Sequence, residues 1–210
     1  MLSLKQLKAA ARLKHLDVRR DEQVPYQPDF IVPRDFIRME PWEVEYLYML
    51  GKQAKIGILE TGRSKGGSVL TFAFANPSVP IYSIDISPNF DASIKQLMDR
   101  CGIGKNVELI VGDSQKTQYS QIAAYDVLLV DGEHTYNGCF DDLTNWWDKL
   151  TPGGHVLIHD CYLGCVVQDA VIDFLRQDHI RQNIHIHLSP FIPSAHKLIS
   201  TGSLCHIQKI

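Results

Sequence analysis

Asp131, His134, His159 and Asp160 have the residue types and spacing of a catalytic cluster. Each pair closes an apolar run that reads as a strand, so two strand ends would deliver two carboxylates and two imidazoles to one rim. Carboxylate oxygens with water suit a hard divalent cation such as Mg²⁺. A histidine in the set also tolerates Mn²⁺, Fe²⁺ or Zn²⁺. His134 lies three residues after Asp131, and imidazole titrates near neutrality, which suits a general base. A metal would help by lowering the pKa of a bound hydroxyl. The alternative is a hydrogen-bonded polar cluster without metal.

A second group of residues reads as a ligand cradle. Ile58-Leu-Glu60-Thr61-Gly62-Arg63-Ser64-Lys-Gly66-Gly-Ser68 runs from an apolar strand through a glycine turn into a helix. Gly62 and Gly66 let backbone N–H groups approach a ligand without Cβ interference. Ser68 and the first helical N–H groups suit a carboxylate or phosphate. Position 64 is Ser, which excludes the G-x-G-x-x-G dinucleotide pattern, and Ser68 follows Gly67 where a phosphate loop requires Lys. Asp85, ending the next strand, can accept both hydroxyls of a ribose; its alternative is a helix N-cap. Asp113-Ser114-Gln115, after Gly112, can bond a purine edge or serve as a polar loop.

The elements that must hold these residues alternate. Strands are expected at 56–60, 81–85, 107–112, 126–131, 154–159, 184–188 and 203–208. Helices are expected at 65–75, 90–101, 117–123, 137–149 and 165–177, and another starts at Glu40-Pro41. Asp126-Val-Leu-Leu-Val-Asp131 is a continuous apolar run, typical of a parallel strand buried on both faces. The expected fold is a doubly wound α/β domain, its seven-stranded sheet mostly parallel with helices on both faces and the last strand antiparallel. Ligands of such sheets bind beyond the carboxyl ends of the strands, where the acids collect. Pro152-Gly153-Gly154 reads as a turn before the fifth strand. His185 and His187 share one strand face and read as solvent-facing edge positions; His155, His179, His196 and His206 receive no role.

Residues 1–39 form an expected N-terminal extension ahead of a 40–210 domain. Leu4, Leu7, Ala11, Leu13 and Leu16 give residues 2–20 an amphipathic helical pattern. Residues 21–37, with Pro25, Pro28 and Pro33, read as a loop that could close over a site as a lid. The extension could also be a dimer arm, and a homo-oligomer is expected.

The 210 residues fit one domain. Net charge is −3, and residues 1–20 carry six basic residues against Asp17, so the remainder is acidic. An acidic body argues against a general nucleic-acid surface. The five cysteines are scattered without a C-x-x-C pair, which makes a zinc ribbon unlikely and suggests a reducing, cytoplasmic setting. Neither a secretory h-region nor an 18-residue apolar run is present, so no membrane span is expected.

Taken in order, these motifs resemble those of class I S-adenosylmethionine-dependent methyltransferases over roughly residues 40–210. Glu60 to Ser68 is similar to the first family motif, Asp85 to its ribose-binding acid, and Leu150-Thr-Pro-Gly-Gly154 to the turn before its fifth strand. Gly112-Asp-Ser-Gln115 resembles the adenine loop of catechol O-methyltransferase. Asp131-Gly-Glu-His134-x-Tyr136 with His159-Asp160 resembles small bacterial metal-dependent macrolide-sugar O-methyltransferases. The sequence departs from those enzymes at His159, where they carry an acid.

The resemblance implies S-adenosylmethionine as cofactor, held by Glu60, Thr61, Gly62, Arg63, Ser64, Gly66 and Ser68 at its methionine end. Asp85 and Ile86 would meet the ribose, and Gly112, Asp113, Ser114 and Gln115 the adenine. Asp131 would face the methyl group. It further implies Mg²⁺ or Mn²⁺ on Asp131, His159 and Asp160, with His134 and Asp131 as the catalytic residues. The acceptor would be a small hydroxylated molecule, such as a sugar or natural product. Competing readings are a nicotinamide-dependent oxidoreductase, a non-catalytic cofactor-binding protein and a nucleic-acid methylase. The last lacks an Asn/Asp-Pro-Pro-Tyr/Phe motif where Asp131-Gly-Glu-His134 stands.

Overall fold

The computed structural model describes residues 23–27, 30–116, 119–188 and 203–210. The first described elements form a hairpin, β1 (Gln23–Gln27) and β2 (Phe30–Pro33), paired antiparallel. The segment 21–37 was expected as a loop. Its Val24 and Phe30-Ile-Val32 have strand propensity, and a two-stranded hairpin tolerates the missing N–H groups of Pro25 and Pro33. The helix expected at 2–20 lies outside the described residues.

Then follow α1 (Pro41–Gln53), β3 (Ile58–Thr61), α2 (Gly67–Ala75), β4 (Ile81–Asp85), α3 (Asp91–Cys101), β5 (Val107–Val111) and β6 (Tyr125–Val130). After these come α4 (Tyr136–Trp146), β7 (Leu150–Ile158), α5 (Val166–Arg176), the short α6 (Asp178–Arg181), β8 (Ile184–Leu188) and β9 (Cys205–Lys209). The sheet order is β5-β4-β3-β6-β7-β9-β8. The first five strands pair parallel, while β9 is antiparallel to both β7 and β8. This is the doubly wound, mostly parallel seven-stranded α/β sheet with its last strand antiparallel.

Two differences from expectation have local causes. Residues 119–123, expected as helix, are turn and coil; residues 117 and 118 are outside the described part. Tyr119 and Ile122 are buried or half-buried against Tyr125 and Trp146, so tertiary packing fixes this segment without helical hydrogen bonds. Pro152-Gly153-Gly154 lies inside β7 instead of before it. Gly153 takes φ 81°, and the pairing with β6 shifts register between Tyr125 and Val127, so the strand absorbs the turn residues as an irregularity.

The sheet is buried on both faces because its central strands are mostly apolar, with Glu60, Thr61 and Ser83 as buried polar exceptions. Val127 and Leu129 of β6 join Leu47 of α1 and Leu70 and Phe72 of α2 on one side. Leu128 and Val130 join Leu143 and Trp146 of α4 and Phe174 of α5 on the other. Each such side chain contributes roughly 1.5–3 kcal/mol by leaving water. Val32, Ile37 and Met39 belong to the first of these clusters, so packing continues across the boundary expected at 39/40.

α1 has a built start: Pro41 at N1, and a capping box in which the Glu40 N–H donates to Glu43 Oε2 at 2.8 Å. That box fixes Glu43 at the rim of the sheet, above the ends of β6 and β7.

Candidate active site

A cleft of about 660 Å³ opens at the carboxyl ends of β3, β4, β5, β6 and β7. Its walls include Gly62 and Ser64 after β3, Asp85 and Ile86 at β4, and Gly112, Asp113, Ser114 and Gln115 after β5. Asp131 and His134 after β6, with His159 and Asp160 after β7, complete the predicted set that the fold brings together. Arg38, Lys116 and Glu133 also line the cleft and were not singled out from sequence.

The β3–α2 loop divides its residues between the cleft and the interior. Gly62 takes φ 82°, and a Cβ there would stand 2.1 Å from the Asp131 carbonyl oxygen, so β3 and β6 approach only through glycine. Gly66 caps α2 at φ 89°, where a Cβ would strike Ile94. Glu60, Thr61 and Arg63 point inward. Glu60 is fully buried and accepts from the Ser68 and Ser83 hydroxyls. Burial pushes its pKa up to about 7, against the pull of those two serines. Thr61 donates to Asp142 Oδ2 at 2.8 Å, and burial raises Asp142 to about 6.

Arg63 forms a bidentate pair with Asp91 (2.7 and 2.9 Å) and donates to the Ser83 and Ile110 carbonyls. Its guanidinium therefore ties β3, β4, β5 and α3 together under the cleft floor. Asp91 and Ser83 are supporting residues that carry no motif. Ser68 borders a smaller recess beside the main cleft, together with Arg63 and Asp131.

Asp85 is braced by backbone. Its Oδ2 accepts from the Arg63 and Ser64 N–H groups at 3.0 and 2.9 Å, and its Oδ1 from Ser87 N–H at 2.8 Å. It does not cap α3, which begins at Asp91 after Phe90. A carboxylate has about four acceptor positions, so one remains toward the cleft. Ile86 beside it is 77% exposed, an apolar surface in the cleft wall. Asp113 accepts from Lys116 Nζ at 2.7 Å, which holds its pKa below the ordinary value. The Ser114 carbonyl accepts from Asn145 Nδ2 and Trp146 Nε1, and Gln115 Nε2 donates to Glu133 Oε2 at 3.0 Å.

The acid–imidazole cluster forms a chain. His134 bridges Asp131 Oδ1 (3.3 Å from Nε2) and Asp160 Oδ2 (3.0 Å from Nδ1) and is half exposed. Hydrogen bonds to Asp131 and then Asp160 raise its pKa to about 10. His159 is buried, its Nδ1 2.9 Å from Asp131 Oδ1 and its Nε2 3.3 Å from Glu43 Oε2. Burial opposes a charge on it, yet bonds to Asp131 and Glu43 hold its pKa well above the usual value. Glu43 Oε1 also accepts from Ser203 N–H, and the Ser203 hydroxyl lies 3.3 Å from Asp160 Oδ1. Asp160 itself sits at φ 51°, in the left-handed region.

The residues expected to hold a metal take different positions. Both ring nitrogens of His159 are engaged by carboxylates, so it supports Asp131 from below. The donor atoms that converge within 4.8 Å are those of Asp131, His134 and Asp160. Two carboxylate oxygens and an imidazole are a donor set that fits Mg²⁺ or Mn²⁺. Glu43 went unrecognised in the sequence because its acid at helix position N3 signals only a capping box; its partner His159 lies 116 residues away.

A methyltransferase-domain family matches residues 59–161, from β3 through the end of β7. That match covers 103 of the 210 residues. The fold of the chain is similar to that of solved methyltransferases. It is similar to the O-methyltransferase TomG from Streptomyces achromogenes, involved in tomaymycin synthesis and solved in complex with S-adenosylmethionine. That match has 17% identity over 100% of this chain and 99% of that one, with a TM-score of 0.65. The Podospora anserina methyltransferase PaMTH1, solved with S-adenosylhomocysteine, matches at 17% identity over 100% and 98%, with a TM-score of 0.64. An rRNA methylase from Streptococcus thermophilus matches at 14% identity over 83% and 98%, with a TM-score of 0.60. No curated protein sequence matches the chain. Among the described residues, no helix is long and apolar enough to cross a membrane.

Proposed function

We propose that this protein is a methyltransferase that uses S-adenosylmethionine to methylate a hydroxyl of a small molecule, such as a sugar or natural product. The observation that carries the reading is the Asp131–His134–Asp160 cluster at the inner end of the cleft, beside the glycine loop and braced Asp85. In this reading the Gly62–Ser68 loop receives the methionine end of the cofactor. Asp85 takes the ribose through its remaining acceptor position, Ile86 packs on the nucleoside, and Ser114 and Gln115 meet the adenine. The sulfonium methyl then faces Asp131 and His134. Methyl transfer to oxygen needs an in-line approach and a deprotonated hydroxyl, which is a problem of positioning more than of covalent help.

Within that arrangement Asp131 and Asp160 orient His134, and His134 takes the acceptor's proton. Glu43 and His159 hold Asp131 in place. Asp131 and Asp160 would hold a divalent cation beside His134, which when bound would supply Lewis-acid activation of the hydroxyl and offset the carboxylate charge that keeps His134 protonated. Residues 30–40 bring Arg38 to the cleft wall and support the reading of the N-terminal segment as a lid. Likeness to both an O-methyltransferase and an rRNA methylase leaves the acceptor to be decided by the site.

The test is transfer of labelled methyl from S-adenosylmethionine to a panel of sugars, phenols and polyketides, with ribosomal RNA as a parallel acceptor. Alkali-stable label on a small-molecule oxygen supports the proposal. Label entering only RNA contradicts it.

A further inference from the structure

At the far edge of the sheet, four histidines on three strands meet. His155 is on β7, His206 on β9, and His185 and His187 on the edge strand β8. His155 stands opposite Gln208 and Leu157 opposite His206, so His155 and His206 are diagonal neighbours on one face. Their rings come together, with His155 Nδ1 2.9 Å from His206 Nε2. The His187 ring stacks on His206 at 4.5 Å, and His185 meets His187 edge-on at 4.7 Å. One ring nitrogen each from His155, His187 and His206 lies within 4.8 Å of the other two.

We propose that His155, His187 and His206 bind a divalent transition-metal ion of the zinc class, which clamps β7, β9 and β8 together. Three imidazoles and no carboxylate are a donor set for Zn²⁺, Ni²⁺ or Cu²⁺, and a poor one for Mg²⁺. Ligand nitrogens about 2.0–2.1 Å from a tetrahedral zinc are spaced roughly 3.3 Å apart. His155 Nδ1 and His206 Nε2 are 2.9 Å apart and the His187 nitrogen lies within 4.8 Å of both, so binding requires the stacked His187 ring to rotate toward the other two.

The surrounding residues supply what metal-bound imidazoles need behind them. His206 is 2% exposed, and its Nδ1 is 2.6 Å from the Tyr46 hydroxyl of α1. With Nδ1–H donating to Tyr46, Nε2 keeps its lone pair toward His155. Gln208 Oε1 lies 2.9 Å from His187 Nε2 and fixes that ring in the same way. The position also gives the ion a task. Among the described residues β8 pairs only with β9, and that pairing is irregular between Ile186 and Leu188. The site stands on geometry separate from the methyltransferase cleft, so it is tested independently of the proposed activity.

The experiment uses tag-free, metal-stripped protein carrying Asp131→Asn and Asp160→Asn, which removes the carboxylates of the other candidate cation site. Zn²⁺ is titrated by calorimetry, and Tm is followed in parallel. One equivalent bound, a raised Tm and no competition from Mg²⁺ are expected. Adding His187→Ala, at a half-buried edge position, should weaken binding at least ~10-fold without lowering the metal-free Tm. His155→Gln provides a second variant, and Co²⁺ loaded in place of Zn²⁺ should show the visible absorption of a nitrogen-ligated tetrahedral ion. Failure of the double-Asn protein to take up Zn²⁺, or unchanged affinity in both histidine variants, would overturn the proposal.

Discussion

His134 sits between two carboxylates that favour its charged form, and this sets its chemistry. Replacing it with Ala should lower turnover by ~10²-fold or more while leaving cofactor affinity nearly unchanged. An unchanged turnover would remove it from the reaction. Its pKa near 10 means that, without a divalent cation, the base form dominates only in alkaline solution. The rate measured in EDTA should therefore climb with pH toward about 10. Added Mg²⁺ or Mn²⁺ should move that inflection to lower pH, because charge on Asp131 and Asp160 would be offset. A profile indifferent to both pH and cation would contradict this reading. Asp131 and His134 were legible because they share a short motif. The part played by His159 was not, since it depends on Glu43 from a distant helix.

Among the elements, the β3–α2 loop does most to shape the cleft, and it does so from beneath. Arg63 reads in the sequence as part of the cofactor cradle, but its guanidinium is turned into the protein toward Asp91. Arg63→Met should leave Asp91 nearly buried without its partner and cost about 3–5 kcal/mol of stability, measured by chemical denaturation. A loss below ~1 kcal/mol would show that the pair is not the tie described. The central parallel strands were legible because most are short apolar runs, whereas β1 and β2 were hidden among prolines. Residues 119–123 and the β7 irregularity were not legible. Packing against Trp146 and a positive φ at Gly153 decide them, and neither leaves a periodic signal.

For the molecule as a whole, stability should carry a pH signature from Glu60. Its pKa in the fold, about 7, exceeds the ordinary 4.5, so the folded state binds the proton more tightly. The stability linked to this group is present below pH 4.5 and lost as pH rises through 7, by about 3 kcal/mol in order of magnitude. His206, held down to about 3 by burial, changes in the opposite sense below neutrality, so the comparison must be with a variant. The stability of Glu60→Gln relative to wild type should rise between pH 4.5 and 8; a flat difference would contradict the buried-acid assignment.

At this scale the doubly wound fold was open to inspection in the sequence, but O-methyltransferases and an rRNA methylase share it, so the cofactor site bears the functional claim. The decisive measurement is a calorimetric titration with S-adenosylhomocysteine in the presence of Mg²⁺, on wild type and on Asp85→Ala. Micromolar binding that weakens at least ~10-fold in the variant is the predicted result. No binding to wild type, with binding of NAD(H) instead, would contradict the account.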